Sequence, residues 1–149
     1  MSAYTREVRA DGAVCFKNPD CEIVVERLRV GVLLVTIYGQ DKGSYGSAVL
    51  DEMQGEIRRH GTVELFVDAR RAVLAAQPVV ERWTEWFQLN QRGLSGVSIL
   101  VASKFIQLTM EVAKLFSRTG GLMRIYTDTS AFVEAVRGKV GAGFVLPDS

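Results

Sequence analysis

Three apolar runs, each leading into a segment of helical period, constrain this chain more than any other feature. They are VLLVTIY (Val32–Tyr38), VELFVD (Val63–Asp68) and VSILVA (Val97–Ala102). The first is apolar on both faces, as a strand in the middle of a covered sheet must be. The segments that follow repeat their apolar residues every three or four positions. In Tyr45–His60 these are Tyr45, Ala48, Val49, Met53 and Ile57, and in Pro78–Gln91 they are Val79, Val80, Trp83 and Phe87. In Phe105–Arg118 they are Phe105, Leu108, Thr109, Val112, Ala113 and Phe116. Strand alternating with helix implies parallel pairing through right-handed crossovers.

The flanks complete the pattern. CEIVVERLRVGVLLVTIYG reads as a hairpin, with arms Glu22–Leu28 and Val32–Tyr38 around a tight turn at Arg29–Gly31. Gly12–Phe16 reads as a short edge strand before the turn KNPD, and Met1–Asp11 as loosely ordered. A last strand is expected at Leu122–Tyr126. A last helix, Ser130–Arg137, follows, capped by Asp128 or Thr129. The tail from Gly138 to Ser149 is Gly-rich, with Phe144, Val145 and Leu146 able to pack back onto the domain or onto a partner. The expected fold class is α/β: a single mixed sheet, an antiparallel hairpin followed by alternating parallel strands, flanked by about four helices. With 149 residues this is one domain.

Composition narrows the function classes. The net charge of +1, with acidic and basic residues interleaved, argues against a nucleic-acid partner. The longest apolar run, VGVLLVTIYG, is about half a membrane span. The start, MSAYTREVRADG, lacks the apolar core of a secretion signal, so a cytoplasmic location is expected. Cys15 and Cys21 lack zinc-site spacing and read as two reduced thiols. His60, the only histidine, sits where a helix should end, and a basic side chain suits that place. No metal or other cofactor is expected.

In open α/β sheets ligands bind beyond the carboxyl ends of the parallel strands. Here those ends are Gly39–Ser44, Asp68–Arg71, Ala102–Lys104 and Thr127–Ser130, which would bring Asp41, Asp68, Arg70, Ser103, Lys104 and Asp128 around one rim. GQDKGSYGS matches neither a phosphate-binding loop nor a dinucleotide fingerprint. No GxSxG elbow is present. A receiver-type phospho-acceptor would need an acidic pair after its first strand, and the chain has none there. Asp41 with Asp68 is the one carboxylate pair left for an enzyme. On the helix after Asp68, Trp83 and Phe87 share the inner face and Trp86 lies at its edge; the stripe reads as core packing first, or as an interface or pocket wall. The edge Trp86 and the apolar tail also point to two-fold self-association as a homodimer.

The order of elements, and above all the strand–turn–helix of VELFVDARRAV, resembles the STAS domain over about Glu22 to Arg137. That family includes bacterial anti-sigma-factor antagonists and the cytoplasmic domains of sulfate transporters. The likeness is closer to the bacterial SpoIIAA-like branch, some of whose members are grouped with lipid-binding SEC14-type proteins. The resemblance implies a non-enzymatic regulatory module with a protein partner. Antagonist-type members carry a phosphorylatable Ser or Thr in the turn that matches Asp68-Ala69-Arg70-Arg71-Ala72. Here the Asp is kept and arginines replace the hydroxyl, which removes the phospho-switch from this position. Arg70 and Arg71 then face either an acidic partner or anion, or solvent, with Asp68 capping the following segment. Two alternatives stand beside the interaction module. One is a carrier for a small apolar or anionic ligand or lipid, with its pocket between the sheet and the helices bearing Trp83 and Phe105. The other is an enzyme using the strand-end carboxylates.

Overall fold

The computed structural model describes residues 4–73, 76–102 and 122–147. Seven strands form one sheet in sequential order: β1 (Thr5–Val8), β2 (Val14–Lys17), β3 (Cys21–Arg29), β4 (Val32–Gly39), β5 (Val63–Ala72), β6 (Leu94–Val101) and β7 (Met123–Tyr126). β1 to β4 pair antiparallel, and β4 to β7 pair parallel. The expected mixed sheet is therefore present. Three α-helices lie among the described residues: α1 (Ala48–His60), α2 (Gln77–Leu89) and α3 (Thr129–Val140). The helix expected at Phe105–Arg118 falls outside them.

Because the parallel strands run β4, β5, β6 without reversing, right-handed crossovers place α1 and α2 on the same face. The packing follows. Leu33, Val35, Leu65, Val67 and Val97 join Val49, Leu50 and Met53 of α1 and Trp86 and Phe87 of α2 in the larger core. The alternate residues Val32, Leu34, Phe66 and Leu100 point the other way, as strand alternation requires, and are covered by Phe132 and Val136 of α3. Phe144 and Leu146 of the tail pack on this second core. Asp128 caps α3, its Oδ1 accepting from the Ser130 amide at 3.0 Å.

Several boundaries differ from the sequence reading. Thr5–Val8, expected to be loose, forms an edge strand because β2 offers it a ladder, with Arg6 opposite Phe16. α1 begins three residues after Tyr45, since Ser44–Ser47 form turns with Gly46 at φ 58°. Tyr45 is still buried, and its hydroxyl donates to the carbonyls of Phe16 and Cys21. β5 continues four residues past Asp68, because Arg71 and Ala72 pair with Tyr38 and Gly39 beyond one extra residue in β5. DARR is therefore strand, not turn, and Asp68 does not cap a helix. Cys15 and Cys21 are free and buried, as read. Burial, then the charge of Asp41, pushes the Cys21 thiol up to about 12.

At the end of the sheet opposite the strand carboxyl termini, Glu56 of α1 is 2% exposed and receives three basic side chains. Arg27 donates to both its oxygens at 2.7 Å, Arg59 approaches at 3.3 Å and His60 at 3.2 Å. Burial by itself would raise the Glu56 pKa, but the hydrogen bonds and charge of Arg27, with His60 and Arg59, outweigh it and hold the carboxyl below its usual range. This ties the β3–β4 hairpin to α1. A depressed carboxylate contributes stability above its unfolded pKa and loses that contribution as pH falls through the folded value. Glu56→Gln should cost about 2 kcal/mol at pH 7. The difference from wild type should shrink as pH falls below about 4. Urea denaturation at the two pH values checks this.

Candidate functional site

The carboxyl ends of β4, β5, β6 and β7 bring a row of side chains to the α3 face. By register Thr36 lies beside Asp68, Asp68 beside Leu100, and Leu100 beside Tyr126. Asp68 is 3% exposed, and its carboxylate is gripped by Arg70. Arg70 Nε donates to Oδ1 at 3.0 Å and Nη2 to Oδ2 at 2.9 Å, while the Arg70 amide donates to Oδ1 at 3.2 Å. The same Nη2 reaches the Pro147 carbonyl at 3.3 Å, so the pair also holds the tail. Beyond an extra residue in β5, Arg71 pairs with Tyr38 and its side chain is exposed. The doublet expected to act together is split: Arg70 is an internal counter-ion and Arg71 lies on the surface.

Tyr38 stands close to this group. Burial, then the charge of Asp68, raises its phenol pKa, with Arg71 and Arg70 opposing. Thr36 is 4% exposed, and its hydroxyl makes no hydrogen bond among the described residues.

Asp41 takes no part in that row. Its Oδ1 accepts from the Gly43 amide at 2.9 Å, and its charge acts on Cys21 and Tyr45 of the larger core. Asp41 and Asp68 thus each serve a separate partner. The loop after β4 is stitched to its neighbours through the backbone: Val73 donates to Gly39, Ala76 to Asp41, and Gln40 to Asp20. Gly39 permits the close approach, because a Cβ there would sit 2.2 Å from the Asp20 carbonyl oxygen, at a φ of 84°.

The aromatic expectation is reversed in one detail. Trp86 is buried at 9% exposure, its ring edge-on to Phe87 at 5.5 Å, so it is core rather than surface. Trp83 is the half-buried one, tilted against Phe87 at 6.1 Å. The reason is that α2 lies with Val79, Trp86 and Phe87 against the sheet, a stripe rotated from the one read by spacing. Trp86 and Phe87 pack with the sheet in the larger core. Phe105, Ser103 and Lys104 fall outside the described residues. Val73, missed in the sequence, is 53% exposed just beyond β5, and Gln77 and Pro78 at the start of α2 are exposed beside it. Among the described residues no group of His, Cys, Asp and Glu is arranged to hold a metal, and no helix is long and apolar enough to cross a membrane.

No family model matches the chain, and no curated protein matches it in sequence. Solved structures do match in fold. An anti-sigma factor antagonist from Mycobacterium paratuberculosis superposes with a TM-score of 0.56 at 14% identity, over 81% of this chain and 98% of its own. An uncharacterised protein with a SpoIIAA-like fold from Shewanella loihica gives 0.59 at 13% identity, over 80% of this chain and 96% of its own.

The Asp68–Arg70 pair carries two expectations. Arg70→Leu leaves a buried carboxylate without its counter-charge and should cost about 3 kcal/mol, more than Asp68→Asn. The double variant should fall short of the sum by about 1–3 kcal/mol in a urea-denaturation cycle. Thr36→Val should be neutral or stabilising by up to about 1 kcal/mol in the same assay, because it removes an unpartnered buried hydroxyl.

Proposed function

This chain has the STAS/SpoIIAA-like fold, and from that premise we propose that it is a non-enzymatic regulatory module that binds another protein. The docking surface runs from the end of β5 to the start of α2, with Arg71, Val73, Gln77 and Pro78 outward. The observation that carries this reading is the outward segment itself. The Asp68–Arg70 pair and the Val73 amide hold the backbone on either side of Arg71, so an exposed cation and the exposed apolar Val73 are held in fixed relation. A rigid surface loses little conformational freedom on binding. The anti-sigma factor antagonist of similar fold suggests the class of partner: an anti-sigma factor of the same cytoplasm. No Ser or Thr lies between Asp68 and Trp83, so this surface is regulated by its partner's availability rather than by a phosphate placed on it.

The test is calorimetric titration of the purified chain against anti-sigma factors from its own organism. A complex should form and weaken at least about tenfold in the Arg71→Glu/Val73→Asp variant, with the melting temperature unchanged. No complex with any of them, or equal binding by the variant, overturns the assignment.

A further inference from the structure

The α3 face holds a second site that the interaction surface does not use. A cleft of about 370 Å³ opens between the sheet and α3. Glu64 (β5), Phe66 (β5), Ser98 (β6), Arg124 (β7), Tyr126 (β7) and Lys139 (α3) line it. Its size is that of a small-molecule pocket.

The cleft is built rather than left over. Glu64 is drawn inward until its side chain is 12% exposed, receiving Ser95 Oγ at 3.0 Å and Lys139 Nζ at 3.6 Å. Gly96 makes this arrangement possible, because a Cβ there would sit 2.4 Å from Glu64 Oε2. Glu64 thereby holds the Lys139 ammonium over the cleft. Two polar groups are left for a ligand. Ser98 is 5% exposed, lines the cleft and makes no hydrogen bond among the described residues. Arg124 is exposed and has no ion-pair partner among the described residues. The Ser98 hydroxyl is open to the cleft and can donate to or accept from an entering ligand. Two cations against one carboxylate leave the lining net positive, which selects an anion. A guanidinium beside a hydroxyl matches the planar, multi-acceptor geometry of a carboxylate or phosphate. Phe66 and Tyr126 add aromatic wall for a flat apolar body.

We propose that this cleft binds a small organic oxyanion, a carboxylate or phosphate monoester on a flat ring, received by Arg124, Ser98 and Lys139. The ligand lies on the face opposite α1 and α2, where it meets the second core without touching the segment from Arg71 to Pro78.

The experiment is an amide-resolved NMR titration of the full chain with benzoate and, separately, phenyl phosphate. At least one probe should produce saturable shifts at Ser98, Arg124, Tyr126 and Lys139. The stronger probe identifies the anion. Arg124→Ala, at an exposed position that should leave folding intact, should weaken that probe about tenfold, and Ser98→Ala should weaken it less. Absence of saturable shifts with both probes overturns the proposal. So do shifts that Arg124→Ala leaves unchanged, and shifts scattered over other basic residues. Arg71→Glu should leave the titration as in wild type.

Discussion

The unreversed order of the parallel strands is the constraint from which the rest of this structure follows. A right-handed crossover from β4 to β5 and another from β5 to β6 both step the same way across the sheet, so α1 and α2 must lie on one face. The other face is then apolar and needs separate cover. The chain supplies it last, with α3 and the tail residues Phe144 and Leu146. The same order has a functional consequence. Crevices in open α/β sheets form where the strand order reverses, and this sheet has no such point. The cleft lies instead where α3 covers the sheet.

Two buried carboxylates, one at each end of the sheet, work in similar ways. Glu56 joins the hairpin to α1 through Arg27, and Asp68 joins the end of β5 to the tail through Arg70. Each is nearly inaccessible and each is gripped by two nitrogens of one arginine, the geometry in which a buried charge is tolerated. At the Asp68 end Arg70 grips the carboxylate, and Arg71, next in the chain, is exposed.

The alternation of elements, the hairpin around Gly31 and the Asp128 cap were legible because each rests on local spacing or turn chemistry. The edge strand Thr5–Val8 was not, since its residues carry no alternating apolar pattern and depend on β2 for pairing. The extension of β5 through DARR was hidden for a similar reason. Polar residues there read as a turn, and only the matching length of β4 turns them into strand. Trp83 and Trp86 exchanged roles because helical spacing defines a stripe but not the rotation at which the helix meets its sheet.

By itself the sequence determined a mixed α/β sheet and the lack of a hydroxyl in the DARR segment after Asp68, since these depend on residue types and near-neighbour periodicity. Only the tertiary structure decided that Arg70 is an internal counter-ion while Arg71 is exposed, that Asp41 and Asp68 serve separate partners, and that Glu64, Ser98, Arg124 and Lys139 share a cleft. Those relations join residues on different strands and helices, through register and helix placement, and no local pattern in a chain encodes distances of that kind.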